Sequence, residues 1–432
     1  MNEEQATRLN QESHRPKWRS IGAVIFLVFL VIIFLVLVVA NSENRYNSDF
    51  LKFYLSARFL LAGENIYSPL TLETIPEDVR IEAELFNQPI HANLNPPLLS
   101  LVMLPLGKLN YPNAYIAWWV ISLALGLISV YWIFNEYHED LNNLHVFDLS
   151  IIFLLFYPTI LTFLSGQVST LLLFLIVVAW VAGRKGNDSL PGIVLGFALS
   201  LKIFTGLFIP LFMIQRRWRL LGWYLGTFIV VNLFSLLVVG IDDHIEYLKS
   251  ISSVTWYSAT WNTSIMGFLT RIFGGSESLP LINSPIIGII LYFTLSLIIL
   301  ITLLWLAYKS KTGELLAFDL LFSLTIVCML LISPLGWIYY YVLLIIPFVV
   351  SWVTAKKQGK TILQGLAIAA WLLCSIPYPR HQIDDIGPVD IFMWSGFPFY
   401  GLLLMMLVLI VLLSRLRAYQ MNSQEPGIAS SS

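Results

Sequence analysis

Apolar residues along most of this chain come in unbroken runs of membrane length, not in strict alternation or on one helical face, and short polar breaks separate them. The first run, Ile21 to Ala40, follows Arg15, Lys17 and Arg19, is long enough to span, and lacks a small-residue cleavage site. It reads as a retained anchor. Further runs lie at about 97–106, 114–134, 149–164, 168–183, 190–214, 220–240, 285–308, 315–332, 337–353, 361–377 and 396–413. They predict an all-α, polytopic integral membrane protein of about twelve transmembrane helices with juxtamembrane helices on its outer face. One membrane domain over residues 21–413 is expected, between polar tails at 1–20 and 414–432.

The polar breaks orient these runs. Basic clusters at Arg184-Lys185, Arg216-Arg217-Arg219, Lys309-Lys311, Lys356-Lys357-Lys360 and Arg415-Arg417, with the N-terminal tail, are assigned to the cytoplasm by the positive-inside rule. Residues 41–95, 241–284, the Ser333-Pro334-Leu335-Gly336-Trp337 break and 378–395 then emerge on the outer side. One interval resists. The stretch between Arg184 and Arg216 gives roughly 40 Å of helix, short of the roughly 60 Å that two full passes need. A single tilted helix would strand Lys202 near mid-membrane, at about 2.5–3.5 kcal/mol. Two short helices meeting beside Lys202 fit the charges better, which places Lys202 toward the outer face, makes Gly166-Gln167 an outward turn, and leaves Pro96 to Leu109 as a short juxtamembrane or re-entrant element.

The first outer loop predicts a short helix: Asn47 or Ser48 as cap, Asp49 in the first turn, Gly63 as the stop. It is apolar nearly all round, so it lies against lipid or other helices. Asp49 has two readings, an acid complementing the helix dipole or a carboxylate held at the membrane surface for chemistry.

Composition agrees with the pattern: 57% of the chain is hydrophobic and 12% charged, against about a quarter charged in soluble domains. A net charge of -1, with basic residues scattered in small clusters, gives no nucleic-acid surface. Cys328 and Cys374 both sit inside apolar runs, which leaves no disulfide framework and no cysteine metal site. No HExxH, Walker, GxSxG or CxxC motif is present, disfavouring zinc proteases, ATP-driven pumps and serine hydrolases. No cofactor is called for, and the need for a metal stays open.

On this topology Asp49, Asn95, Gln167, Lys202, Asn262, Ser264 and Trp337 converge on the outer surface. Lys202 has no carboxylate nearby in sequence; it is either a snorkelling lysine or a cation that holds a phosphate. Gly166-Gln167 is either a plain tight turn or a polar contact. Asn262-Thr263-Ser264 fits a glycosylation acceptor by accident, and Arg271 is a second phosphate or sugar contact or an interfacial anchor. The aromatics from Trp337 to Tyr341 form an interface belt or a sugar-stacking surface.

Taken in order, Asp49-Phe50 with Tyr54, Ala57, Leu61, Gly63 and Tyr67, then Asn95-Pro96-Pro97-Leu98 with Pro105-Leu106, Gly166-Gln167-Val168, Gly196 through Lys202, Arg216-Arg217-Trp218-Arg219, Asn262-Thr263-Ser264 with Gly267 and Arg271, and Ser333-Pro334 with Trp337 resemble glycosyltransferase family 87 (the DUF2029 group), within the GT-C superfamily. The resemblance covers about residues 45–350. It implies an inverting enzyme of the bacterial cytoplasmic membrane, its site facing the exterior, that moves a sugar, mannose first, from a polyprenyl phosphate to a lipid or glycan acceptor. Asp49 would be the general base, and Lys202 with Arg271 would hold the leaving phosphate. Tyr54, Asn95, Gln167, Asn262, Ser264, Trp337 and Tyr340 would contact substrate. Where family members carry a histidine shortly after the tryptophan, this chain has Ile338, Tyr339 and Tyr340, which leaves the acceptor and the donor sugar open. The rival readings are an arabinofuranosyl donor, an O-antigen polymerase or ligase, and a lipid or sugar transporter.

Overall fold

The computed structural model describes residues 17–40, 49–68, 75, 79, 93–141, 144–276, 280–310, 314–377, 392 and 396–423. The acidic stretch from Glu73 to Glu84, the late loop from Tyr378 to Ser395 and the expected cap Asn47 or Ser48 fall almost wholly outside those residues.

The first apolar run forms α1 (Lys17–Ala40), whose helix begins inside the segment read as a tail. After the loop comes α2 (Asp49–Ala62). Its all-round apolar surface is spent on protein contacts: Phe50, Leu51, Phe53, Tyr54, Leu55, Ala57 and Phe59 are buried. Next is α3 (Pro97–Gly107), which opens on a proline whose missing N–H costs nothing in a first turn. At 11 residues, roughly 16 Å, it is too short to cross a bilayer. Asn110 then caps α4 (Tyr111–Glu136) by accepting the Asn113 N–H at 3.2 Å.

The run at 149–164 is not one straight span. It divides into α5 (Val146–Leu155) and α6 (Tyr157–Ser165), bent by 67° at Phe156 with Pro158 in the first turn of α6. The 16-residue α7 (Ser169–Arg184) follows. The run at 190–214 is also divided, into α8 (Ser189–Leu201), a 3-10 turn (Ile203–Leu207) and α9 (Phe208–Ile214). Between them Lys202 is extended (φ -148°, ψ 112°), so the chain breaks at the position expected. Behind this pair stands α10 (Trp218–Val239). A Cβ on Gly196 would lie 2.4 Å from the Tyr224 carbonyl oxygen and one on Gly192 2.6 Å from that of Leu220, so small residues let the two helices touch through their backbones.

The rest of the chain gives α11 (Ile241–Ser252), α12 (Ile265–Phe273), α13 (Pro285–Lys309), α14 (Leu315–Ile332), a 3-10 segment (Ile338–Leu344), α15 (Ile345–Lys357), α16 (Thr361–Cys374) and α17 (Phe397–Ser423). The last continues beyond residue 413, where a polar tail was expected. The most apolar windows of α14 and of Ile338–Lys357 are 78% and 83% buried, against 11% for α10 and 28% for α13, which puts the first two at the centre and the others at the rim.

The protein is thus an all-α membrane protein. Against an expectation of about twelve crossings, six described helices are long and apolar enough to span, or seven with the bent α5–α6 pair. Ile21–Val36, α3, α7, α8, Ile203–Ile214 and α16 are apolar but shorter.

One end of the bundle is fixed by ion pairs. Arg184, the last residue of α7, pairs with Asp319 of α14 and with Glu136 at the end of α4 (3.0 Å), while Tyr137 (2.5 Å) and the Trp180 indole (2.9 Å) also donate to Asp319. Lys357 meets Asp140 at 2.9 Å, and Arg217 meets Asp188 at 2.5 Å. A cavity of about 430 Å³ opens at this end beside Arg184, Asp188, Gln215, Arg217 and Glu314. The opposite end of α7, roughly 24 Å away, begins just after Gln167.

Candidate active site

The site is assembled from three chain breaks. Gly166 closes α6 in the left-handed region (φ 62°) and a Cβ there would sit 2.6 Å from that of Phe50, so only glycine lets the turn press against the start of α2. The Trp118 indole pins the turn by donating to the Gly166 carbonyl at 2.8 Å. Gln167, buried, then donates through Nε2 to Oδ2 of Asp49 across 118 positions of sequence. The other oxygen of Asp49, Oδ1, accepts from Lys52 Nζ at 2.7 Å, one turn along α2.

Lys202 enters from the second break. Its Nζ donates to Oδ1 of Asn95 at 2.5 Å and lies 5.5 Å from the centre of the Tyr340 ring. Asn95 is fixed in turn: its side-chain and backbone N–H groups donate to Oδ1 of Asn93 (2.8 and 3.0 Å), its carbonyl accepts from the Tyr67 hydroxyl, and Asn93 donates to Ser56 on α2 at 2.8 Å. A polar chain therefore runs from α2 through the 93–95 turn to the broken helix pair. The Tyr67 ring lies 6.0 Å from Tyr247 of α11, and Asp243 of that helix accepts the Ile66 N–H at 3.1 Å.

α2 is not among the spanning helices. Burial works to raise the Asp49 carboxyl, but the charge and hydrogen bond of Lys52, the Gln167 amide and the charge of Lys202 outweigh it and hold the group below the ordinary 3.8. Asp49 is an anion at neutral pH. The charges of two ammonium groups act on it.

The third break positions Tyr340. Thr263 donates to the Gly336 carbonyl (2.9 Å) and Ile338 to that of Trp261 (3.0 Å), forming an isolated bridge between Asn262 and Trp337. Asn262, fully buried, donates to the carbonyls of Tyr257 (2.8 Å) and Pro334 (2.9 Å) and accepts from the Ser264 hydroxyl (2.8 Å) and the Gly336 N–H (3.1 Å). Ser264 caps α12 through the Gly267 N–H at 3.1 Å. The 3-10 segment leaves this knot, and Thr162 of α6 binds the Tyr339 carbonyl at 2.9 Å, setting Tyr340 beside Lys202.

Five of the residues expected at the site therefore come together: Asp49, Asn95, Gln167, Lys202 and Tyr340. Others do not join them. Asn262 and Ser264 are fully buried inside the knot, and Trp337 flanks it with its ring 6.5 Å from Trp261. Arg271 is 1% exposed; its Nη1 donates to the carbonyls of Ala259 (3.0 Å) and Asn262 (2.9 Å), and its charge neighbours are Tyr341 and Tyr400, not Asp49 or Lys202. Tyr54 is fully buried with its hydroxyl on the Leu109 carbonyl at 2.8 Å and faces Phe50 and Tyr111. Lys52 and Asn93, which the sequence did not single out, and Tyr67, noted there only for the family resemblance, also belong to the cluster. The signal for Lys52 was its place three residues after Asp49. Among the described residues no three His, Cys, Asp or Glu side chains gather as metal ligands.

A carboxylate, two ammonium groups and fixed amides gathered at one end of a multi-pass helical frame mark a functional site. The family is shown by the residues themselves: the chain belongs to glycosyltransferase family 87, whose model matches residues 93–334. A search of the curated proteins finds none that matches the chain. The protein is a glycosyltransferase. The matched segment holds Asn95, Gln167 and Lys202, and Asp49 lies outside it.

Proposed function

We propose that the protein transfers a sugar, mannose in the first instance, with inversion, from a polyprenyl-phosphate donor to a lipid or glycan acceptor. The reaction would take place on the outer side of a bacterial cytoplasmic membrane, in a GT-C-type frame whose shorter apolar helices complete about twelve crossings. The observation that carries this reading is the hydrogen bond from Gln167, inside the family segment, to Asp49 outside it, with the charge of Lys202 acting on the same carboxylate.

Asp49 takes the proton of the acceptor hydroxyl as its oxygen attacks the anomeric carbon. The bond from that carbon to the phosphate oxygen breaks on the opposite face, its electron pair leaving with the phosphate, so the configuration inverts. One carboxylate suffices because a phosphate needs no strong acid to depart, unlike the leaving groups of glycosidases. Lys202, held by Asn95, stabilises the growing phosphate charge. Tyr340 offers a ring to the sugar, while Asn262, Ser264 and Arg271 act from within the knot that positions it. Tyr54 anchors α2.

Asp49→Asn tests the assignment. Purified and reconstituted with a labelled polyprenyl-phosphate mannose, the variant should lose about 10²–10⁴-fold in transfer rate while remaining folded. Turnover equal to the wild type would remove Asp49 from the mechanism, and movement of labelled lipid without a new glycosidic bond would favour transport.

A further inference from the structure

Both oxygens of the Asp49 carboxylate are already engaged, Oδ1 by Lys52 and Oδ2 by Gln167. Each oxygen keeps a second lone pair, but a carboxylate held by an ammonium is a weaker base than a free one, so release of a partner would strengthen it. Gln167 is the fixed one: it is 6% exposed and follows a glycine turn that admits no side chain. Lys52 is the movable one, 17% exposed on a flexible four-carbon stem, and its pairing at three residues' distance on one helix can be broken by side-chain rotation alone.

The charge count points the same way. Among the described residues the cluster holds the cations Lys52 and Lys202 against the single anion Asp49, and Lys202 is hydrogen-bonded to a neutral amide. Within that trio of described residues one positive charge exceeds the negative. A sugar phosphodiester brings one negative charge and makes the cluster neutral. During transfer the acceptor proton neutralises Asp49 while the departing phosphate gains the bond's electron pair and becomes a monoester that is largely dianionic above its second pKa, about 6. One unit of negative charge thus passes from the carboxylate to the phosphate; the sum stays at zero, and the dianion is matched locally only if both lysines stand by the phosphate at the end.

We propose that Lys52 is an exchangeable lock on Asp49: without donor it pairs with the carboxylate, and the donor phosphate draws it away, freeing Oδ1 to accept the acceptor's proton. This rests on the reading of Asp49 as the base. Donor binding would therefore switch the base on, and the acceptor would meet an available carboxylate only when the sugar is in place.

A double-mutant cycle on the full-length protein in nanodiscs tests the exchange. Binding of farnesyl phosphate is followed by tryptophan fluorescence, with farnesol as the uncharged control. Lys52→Met should weaken farnesyl phosphate about tenfold and leave farnesol unchanged. Asp49→Asn, which releases the ammonium, should tighten farnesyl phosphate about tenfold, and that gain should vanish when Lys52 is already Met. Lys52→Arg should keep binding within about threefold, and Lys52→Gln gives the same readout if the Met variant does not fold. An Asp49→Asn gain that persists without Lys52, or unchanged binding in Lys52→Met, overturns the lock. Turnover is scored separately: an active Asp49→Asn variant removes the base assignment, while the binding cycle still decides whether Lys52 meets the phosphate.

Discussion

At the scale of single residues, the carboxylate of Asp49 owes its ionised state to its neighbours more than to its solvation. Burial alone would favour the neutral acid; Lys52, Gln167 and Lys202 reverse that preference. Because the carboxyl lies lower in the folded protein than in the unfolded chain, its contribution to stability is complete above the ordinary value of 3.8 and is lost only as pH falls through the lower folded value. The acid limb of kcat/KM in the wild type is accordingly expected below that ordinary value. Gln167→Leu removes one hydrogen bond to the anion and should move the limb to higher pH, with transfer at pH 7 reduced about tenfold. A pH profile that superimposes on the wild type would show that Gln167 does not tune the base. Asp49, Gln167, Lys202 and Asn95 were legible in sequence because a polar group in so apolar a chain needs a reason. Lys52 was not, since a lysine in a short greasy helix also reads as a snorkelling side chain. Asn93 and Tyr67 act through backbone and side-chain partners far away in sequence, which spacing does not reveal.

At the scale of elements, the hydropathy runs located the long apolar helices, but not α11 or α12 and not every interruption. The break at Lys202 was readable because a charge stood in the middle of a run too short for two passes, whereas the 67° bend at Phe156 had only Pro158 to announce it. The Asn262-Thr263-Ser264 and Ser333-to-Trp337 segments were read as surface contacts, yet they bind each other through Asn262 and the Asn262–Trp337 bridge. Sequence could not show that pairing because the partners lie more than seventy positions apart. Asn262→Ala would leave the Tyr257 and Pro334 carbonyls and the Gly336 N–H without this partner, and should destabilise the protein by about 1–3 kcal/mol. The variant is expected to show a lower melting temperature in detergent together with reduced transfer, as Tyr340 loses its support. A loss of activity with unchanged melting temperature would return Asn262 to direct substrate contact.

At the scale of the whole molecule, the chain separates its charges by end. Arg184, Arg217 and Lys357 stand with Glu136, Asp140, Asp188 and Asp319 at one end of the bundle, and Gln358 of the same region bonds the Leu412 carbonyl of α17 at 3.2 Å, close to Arg415. The cluster around Asp49 occupies the other end, beyond the length of α7. A bilayer with its cytoplasmic preference for lysine and arginine would seat the first end inside and the Asp49 end outside. Because Cys328 and Cys374 are buried, introduced cysteines can report this with little background. Ser253→Cys, exposed just past α11 on the Asp49 side, should react with a membrane-impermeant maleimide in intact cells. Lys360→Cys, exposed just past α15 near the Lys357 pair, should react only after permeabilisation. The reverse pattern would turn the Asp49 end toward the cytosol, where nucleotide sugars are available, and would remove the argument that a lipid phosphate must carry the sugar to this side.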